Sequence, residues 1–533
     1  MKNWRINFIF FTFLIFTILI LYRLYSLQIL KGEFYQAVTE NSDEIPLKKE
    51  RGEIFFSGLE PLAINKTYFF VYSLNQRIKD KEETAEKLSK ILNLDKKFIL
   101  EKLNSEKKYQ IIKEELTKEE IENLKKEKIE GIFLESAIKR YYPQEKLASQ
   151  VVGFLDKDSR GNYGIEEFYD QILREGGNLI LTINYSLQFK AEEILEKASS
   201  DLKIKSGQIV VMDPYSGKIL AMANFPNFNP NEYSKIANEN FEIFKNKVTL
   251  ETFEPGSVFK PITMAIGLNE KKITPETKFF DKGFFQIGGI KIQNYDGRSF
   301  GEVTMTNVLE KSINTGAVFV ERQIPHSLFL EYIQKFGIFR KTGVDLPEVY
   351  SENKELKKGY EINFATASFG QGIEMTPLQL ISAYSALING GKLVKPYVVE
   401  KIITKEGTIE KKPELSENII SEETSNKIKS MLVSVVENGF GKRAKIPGYY
   451  VGGKTGTSQI PFSSLGMNQK GYSEQTWQTF VGFLPAFNPK FLILVKLDNP
   501  SAKTAEYSAA PIFKELAEFA LHLYQVPQDY EVD

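Results

Sequence analysis

The chain has no cysteine and only two histidines among its 533 residues. The absence of cysteine excludes thiol nucleophiles, disulfides, thiolate zinc sites and iron–sulfur clusters. Two histidines are too few for a three-histidine zinc site, and neither His326 nor His522 lies beside a nucleophile motif. We interpret both as structural, and we expect lysine, carboxylate or hydroxyl groups to carry any acid–base chemistry.

An excess of charge of either sign is also absent. Lysine and arginine together number 69, and so do aspartate and glutamate, which gives a formal net charge of zero. Because phosphate binding depends on a basic excess, we expect no nucleic-acid partner. Apolar residues make up 42% of the chain, enough for a packed core, and the length suggests about three structural units.

Long apolar runs are scarce, and the one at the N-terminus predicts a membrane anchor. Ile6 to Tyr22 carries no charge, spans 17 residues and is flanked by arginines. This length is at the lower limit for a membrane-spanning helix. Because no small-residue cleavage site follows, we favour an uncleaved signal anchor over a cleaved signal peptide. Lys2 and Arg5 favour a cytoplasmic start, which predicts a single-pass protein of the bacterial inner membrane whose remaining residues lie outside the cytoplasm.

Hydrophobic periodicity predicts two kinds of structure after the anchor. Residues 79–130 are dense in charge, with apolar residues at helical spacing, which is typical of short amphipathic helices. Further along we predict a helix, a hairpin, a pair of strands and a final helix, at 187–198, 208–222, 479–495 and 509–524. These strands lie at both ends of a region of about 350 residues. They predict an α/β domain whose antiparallel sheet is assembled from distant parts of the chain.

A serine activated by lysine is the nucleophile that this composition favours. Ser-x-x-Lys places the two side chains on one helix face, and a buried lysine releases its proton more easily. The pattern occurs five times, at Ser105, Ser136, Ser200, Ser257 and Ser351. Only Ser257 follows a Pro-Gly turn and precedes apolar residues up to its lysine, Lys260. That context predicts a serine at a helix N-terminus, where backbone N–H groups stabilise an oxyanion.

Two further motifs follow Ser257 in a specific order. Ser312 and Asn314 form Ser-x-Asn, and Lys454 opens a Lys-Thr-Gly-Thr motif on a glycine-rich predicted strand. A second Lys-Thr-Gly, at Lys341, has a turn-like context. Each motif is weak alone, but the ordered set of three is known from penicillin-binding proteins and serine β-lactamases.

With these motifs, the chain resembles the class B penicillin-binding proteins, which are monofunctional peptidoglycan transpeptidases. The family's active-serine segment corresponds to Thr252–Lys260. Other stretches resemble the family at Arg140–Pro143, Val152–Phe154, Gly164–Glu166, Phe369–Leu380, Val436–Gly439, Gly452–Thr457 and Phe480–Ala486, the last being closer to the septal, cell-division branch. One stretch departs from the family pattern, because Phe55–Gly58 replaces the usual Asp-Arg pair after Ile54.

The resemblance implies a division of the chain into three parts. These are a short cytoplasmic start with the transmembrane helix at 1–30, a mixed α+β pedestal of the dimerisation type at 31–177, and a penicillin-binding transpeptidase domain at 178–533. The transpeptidase domain is expected to have a central five-stranded antiparallel sheet covered by helices.

The resemblance also implies a role for each motif residue. Ser257 attacks the bond between two terminal D-alanines, Lys260 takes its proton, and Ser312 with Lys454 returns a proton to the departing D-alanine. Asn314 binds the substrate amide, and the substrate carboxylate is bound by Lys454, Thr455 and Thr457, while Gly456 leaves room for the substrate strand. No metal and no other cofactor is implied. The implied partners are D-Ala-D-Ala stem peptides, β-lactams, a membrane-embedded glycosyltransferase and other cell-division membrane proteins.

Three alternatives remain open from the sequence. The chain could serve wall elongation instead of the septum. It could be a D,D-carboxypeptidase or β-lactamase, although these enzymes do not need the charged pedestal and the anchor. It could be a non-catalytic divisome scaffold or antibiotic sensor, although a scaffold has little need for three intact motifs.

Overall fold

The structure, a computed structural model, describes residues 11, 13–22, 50–237 and 240–532. Residues 11 and 13–22 of the predicted anchor are helical, and the rest of that segment lies outside the described residues. Among the described residues, no helix has the length and apolar character needed to cross a membrane. The chain divides into a smaller unit, built mainly from Asn65–Tyr141, and a larger one containing Gly52–Ile64 and 142–532. The predicted domain boundary between 177 and 178 stays a prediction.

The smaller unit contains the short amphipathic helices that its charge-dense sequence predicts. They are Lys81–Leu92, Lys96–Leu103 and Lys118–Glu127, and their apolar faces, including Leu88 and Ile99, form a buried core. The carboxylate of Asp80 and the hydroxyl of Thr117 accept backbone N–H groups at two of the helix starts. The strands are the later part of Pro61–Leu74, Tyr109–Lys113 and Ile132–Tyr141.

The larger unit contains a mixed sheet of short strands and several short helices. A mixed sheet is formed by Ile54–Phe55, the start of Pro61–Leu74, Asn178–Leu181, Val399–Thr404 and Gly407–Glu410. A separate strand pair is formed by Phe154–Leu155 and Gly161–Asn162. The short helices are Ser149–Val152, Gly164–Phe168 and Asp170–Arg174.

A five-stranded antiparallel sheet is the centre of the larger unit. Its strands are β1 (Ser206–Met212), β2 (Ile219–Phe225), β3 (Gly452–Pro461), β4 (Tyr472–Leu484) and β5 (Phe491–Asp498), in the order β3-β4-β5-β1-β2. Strands from both ends of the region therefore join in one sheet. This confirms the predicted α/β domain with an antiparallel sheet assembled from distant parts of the chain, and it confirms the predicted hairpin and strand pair.

Helices cover both faces of this sheet. Successive side chains along a strand point to opposite faces, so each strand contributes to the core on either side. Ile209 and Val211 of β1 belong to one buried core, whereas Val210 and Met212 belong to the other. The first core holds α1 (Tyr185–Asp201) and α6 (Ala509–Leu523), and the second holds α2 (Lys260–Asn269), α3 (Asn314–Glu321), α4 (Pro377–Ile388) and α5 (Glu422–Asn438). The predicted helices at 187–198 and 509–524 are α1 and α6.

Three further strand pairs and six further α-helices belong to the described part of the larger unit. The strands Lys278–Asp281 and Gly301–Thr304 pair, as do Phe284–Ile287 with Ile290–Gln293, and Lys392–Val394 with Leu415–Asn418. The remaining α-helices are Tyr233–Ile236, Lys247–Leu250, Met305–Glu310, His326–Lys335, Lys354–Lys357 and Glu361–Ala367.

Candidate active site

Ser257 lies on a single 3-10 turn, Gly256–Phe259, that leads directly into α2. Gly256 has a φ of 59°, in the left-handed region that glycine adopts without strain. A Cβ atom at this position would lie 2.9 Å from the Cβ atom of Ser458, so glycine also permits the close approach of β3. The turn into a helix that the Pro-Gly sequence predicts is therefore present, and Ser257 remains partly exposed upon it.

Lys260, the first residue of α2, is fully buried beneath Ser257. Its Nζ atom lies 2.8 Å from Ser257 Oγ. The residues between them, Val258 and Phe259, are both buried, and Tyr384 OH donates a 2.5 Å hydrogen bond to the carbonyl of Val258. The apolar side chains thus draw the lysine inward, as the sequence predicts.

The Ser-x-Asn motif meets Lys260 at the start of α3. Lys260 Nζ lies 2.7 Å from the carbonyl oxygen of Ser312, 3.2 Å from Ser312 Oγ and 2.8 Å from Asn314 Oδ1. Ser312 has a φ of 54°, which is unusual for a non-glycine residue and is often found at functional sites. The amide nitrogen of Asn314 donates to the carbonyl of Gln293 at 3.0 Å, which holds the side chain in place.

Lys454 reaches the same cluster from β3, the outermost strand of the sheet. Its Nζ atom lies 3.0 Å from Ser312 Oγ and 2.9 Å from the carbonyl oxygen of Thr455, and the side chain is fully buried. The hydroxyl of Ser312 therefore lies between the amines of Lys260 and Lys454. The structure brings all five predicted catalytic residues into one connected cluster.

The remaining residues of the Lys-Thr-Gly-Thr motif have different surroundings. A Cβ atom on Gly456 would lie 2.9 Å from the carbonyl oxygen of Pro255, so the space beside this glycine is filled by the active-serine segment. Thr455 and Thr457 alternate with Lys454 and Gly456 along the strand, which directs their side chains to the opposite face. Thr457 Oγ1 accepts a 3.1 Å hydrogen bond from the backbone of Ala505. The substrate-binding role of Thr455, Gly456 and Thr457 stays a prediction.

Burial lowers the pKa of both lysines in the cluster. The pKa of Lys260 falls well below its ordinary value, first because the amine is removed from water and then because Lys454 is nearby. Burial alone lowers the pKa of Lys454 to about 7. A neutral Lys260 amine has two hydrogens and one lone pair. Because the carbonyl of Ser312 and Asn314 Oδ1 only accept hydrogen bonds, they take the two hydrogens and leave the lone pair facing the Ser257 hydroxyl.

The lowered pKa of Lys454 predicts how stability changes with pH. Between pH 7 and about 10.5 the unfolded chain holds this proton and the folded chain does not, so the free energy of unfolding rises with pH in that window. In Lys454→Met the free energy of unfolding is expected to rise less between these pH values, by on the order of a few kcal/mol. Urea unfolding at pH 7, 8.5 and 10 measures it, and the exposed Lys272→Met is the control. An unchanged slope in Lys454→Met would contradict the lowered pKa.

The second Lys-Thr-Gly motif has a structural use. The backbone N–H and hydroxyl of Thr342 and the N–H of Gly343 all donate to the Glu348 carboxylate, at 2.8 to 2.9 Å. The motif therefore lies in a turn closed by a carboxylate of its own chain. His326 is also placed by packing, because its ring stacks on Phe364 with centroids 3.9 Å apart.

One buried carboxyl beside the nucleophile has no role in the sequence analysis. Glu254 lies within the active-serine segment, three residues before Ser257, and is only 6% exposed. The resemblance singled out the segment without a role for this glutamate. The sequence signal that could have indicated a role for Glu254 is a charged residue placed between apolar and turn residues.

Two models of known protein families together match most of the chain. Penicillin binding protein transpeptidase domain matches residues 207–518, and Penicillin-binding Protein dimerisation domain matches residues 46–178. The first match alone covers more than half of the sequence.

Individual proteins that are similar to this chain match it over nearly its full length. Stage V sporulation protein D of Bacillus subtilis is 30% identical, over 92% of this chain and 81% of its own. A peptidoglycan D,D-transpeptidase FtsI homolog of Mesostigma viride is 31% identical, over 96% of this chain and 94% of its own. Among solved structures, penicillin-binding protein 3 of Mycobacterium tuberculosis in complex with aztreonam superposes with a TM-score of 0.71 at 25% identity, covering 91% of this chain and 98% of that one.

Proposed function

The chain belongs to the penicillin-binding protein transpeptidase family, and from this premise we propose that it cross-links peptidoglycan stem peptides through an acyl-enzyme on Ser257. The observation that carries the proposal is the continuous series of contacts from Ser257 through Lys260 and Ser312 to Lys454, with no separation above 3.2 Å. Such a series supplies a nucleophile, its base and a path for the proton in one cluster.

Acylation uses the neutral amine of Lys260. Ser257 Oγ attacks the carbonyl carbon between the two terminal D-alanines of a stem peptide, and its proton passes to Lys260 Nζ. Backbone N–H groups of Ser257 and Thr457 stabilise the oxyanion that forms. Asn314 donates to the substrate amide, and the cationic form of Lys454 attracts the terminal carboxylate.

Release of D-alanine and transfer to the acceptor complete the cycle. The C–N bond breaks, and the departing amine takes a proton through Ser312, whose hydroxyl lies within 3.2 Å of both lysine amines. The ester on Ser257 is then attacked by the amine of a second stem peptide, which forms the cross-link and restores the serine hydroxyl. A β-lactam acylates the same oxygen and stays attached.

The cellular setting is proposed from the sequence and the relatives. We place the chain in the bacterial inner membrane through the apolar run at 6–22, with the pedestal at 31–177 and the transpeptidase domain at 178–533 outside the cytoplasm. The similarity of Phe480–Ala486 to the septal branch, together with the FtsI homolog among its relatives, supports a role in septal wall synthesis beside a membrane-embedded glycosyltransferase.

Product analysis tests the reaction. Full-length protein is incubated with nascent peptidoglycan strands bearing pentapeptide stems, and muropeptides released by digestion are separated and weighed. We expect cross-linked dimers that are absent with Ser257→Ala and after penicillin treatment. Trimmed tetrapeptide monomers without dimers would assign a carboxypeptidase instead, and unchanged pentapeptides would contradict the proposed reaction.

A further inference from the structure

A loop with no part in the reaction above lies directly against the active-serine segment. It comprises Gly370–Met375, which we call the clamp loop. The backbone N–H of Gly256 donates to the carbonyl of Gly370 at 2.9 Å, and Phe253 and Met375 exchange two backbone hydrogen bonds of 2.9 and 3.1 Å. Gly370 has a φ of 83°, and a Cβ atom there would lie 2.1 Å from the carbonyl oxygen of Gly256. The clamp loop and the residues just before Ser257 are therefore in backbone contact.

Glu254 joins this loop to the central sheet. Tyr472 OH, on β4, lies 3.2 and 3.0 Å from the two carboxyl oxygens of Glu254, and the backbone N–H of Gly372 in the clamp loop is close enough to the same carboxyl to lower its pKa. The hydroxyl of Ser458, on β3, donates to the backbone carbonyl of Glu254 at 2.8 Å. One residue thus connects two strands, the clamp loop and the active-serine segment.

The geometry around Glu254 suits the ionised carboxylate. The backbone N–H can only donate and the tyrosine hydroxyl can donate, so a carboxylate accepts from both with its two charged oxygens, whereas an amide has one neutral acceptor oxygen. The pKa of Glu254 is raised to about 7, chiefly by burial and to a smaller extent by the nearby charge of Glu374, while the two donors oppose the rise. Glu374 lines the same cavity of about 450 Å³ as Glu254, and so do three other charged residues, Glu352, Lys354 and Glu355.

We propose that Glu254 is a positioning residue for acylation, and that its carboxylate holds the clamp loop and β4 against the active-serine segment, so that Ser257 Oγ stays in reach of Lys260. Only Pro255 and Gly256 separate Glu254 from Ser257, so a shift of the carboxyl is transmitted to the nucleophile. Displacements of an ångström or less are enough to slow a reaction strongly. This proposal rests on the proposed function, because it concerns the rate of the same acylation.

The test separates the acylation rate constant from the binding of penicillin before acylation. In Glu254→Gln the amide keeps the shape of the side chain but has one acceptor oxygen in place of two and carries no charge. We expect the acylation rate constant to fall about tenfold, with less than a twofold change in the penicillin concentration that gives half the maximal rate. Glu352→Gln, at an exposed glutamate of the same cavity, is the matched control and should acylate at the wild-type rate.

Tyr472→Phe provides an independent second variant, because it removes one donor and leaves the active-serine segment unchanged. It should slow acylation in the same direction, and the double variant should be no slower than the slower single variant. Because Lys454 also titrates near pH 7, the informative quantity is the ratio of wild-type to Glu254→Gln rate constants. We expect that ratio to rise between pH 6 and pH 8.

Two results would overturn the proposal. One is a ratio that stays at one throughout this pH range. The other is a loss of rate that is explained fully by weaker penicillin binding or by the unfolded fraction measured in the same samples. Neither is confused with failure of the proposed function, which would appear as a wild-type protein that penicillin does not acylate or as labelling that persists in Ser257→Ala.

Discussion

Replacing Ser257 with alanine is expected to abolish covalent labelling by a fluorescent penicillin while the protein stays folded. The variant removes the hydroxyl oxygen that lies 2.8 Å from Lys260 Nζ on the partly exposed residue of the turn before α2. Lys260 keeps three other oxygen neighbours, so the free energy of unfolding should change by no more than about 1 kcal/mol. Gel fluorescence after denaturation, with a melting curve of the same sample, measures both effects.

A matched control uses a serine from another Ser-x-x-Lys sequence. Ser200 has its lysine at 203, but it lies exposed on α1 and its hydroxyl donates to the carbonyl of Lys197. Ser200→Ala should therefore label like the wild type. Labelling of Ser257→Ala at the wild-type level would show that another residue is the nucleophile.

Lys260→Met is expected to slow acylation of Ser257 by about a thousandfold, the middle of the range for loss of a general base. Methionine has a similar length and is apolar, so it fills the buried site without a charge. The carbonyl of Ser312 and Asn314 Oδ1 lose a donor, which costs about 1 to 3 kcal/mol for each unsatisfied group, and relief of the buried amine offsets part of that cost. A time course of penicillin labelling at saturating concentration measures the rate.

The control for Lys260→Met is another buried lysine outside the cluster. Lys429 on α5 is 9% exposed, and burial lowers its pKa as well. Lys429→Met should label at the wild-type rate. Equal slowing in both variants would mean that loss of a buried lysine perturbs the domain in general. A wild-type rate in Lys260→Met would exclude this lysine as the base.

Much of the fold and site can be predicted because the determining signals are local in the sequence. The hairpin of β1 and β2 follows from two apolar runs that flank the turn residues Asp213, Pro214 and Gly217, and the position of Ser257 follows from Pro-Gly before a helix. The three motifs are each only a few residues long, and their order resembles that of the penicillin-binding proteins, which implies that they meet in space.

The parts that escape prediction depend on contacts between distant segments. Nothing near Gly456 in the sequence shows that Pro255, some 200 residues earlier, fills the space beside it. The role of Glu254 depends on Tyr472, 218 residues away, and on the clamp loop. The left-handed backbone of Ser312 is likewise set by packing, because local sequence rarely specifies a positive φ outside glycine.

The most direct test of the account is to locate the penicilloyl group on the wild-type protein. The protein is incubated with penicillin and digested, and the modified peptide is sequenced by tandem mass spectrometry. We predict a single adduct on the peptide that contains Ser257, with the added mass on the serine itself. An adduct on a different residue, or no adduct on a folded protein at saturating penicillin, would contradict it.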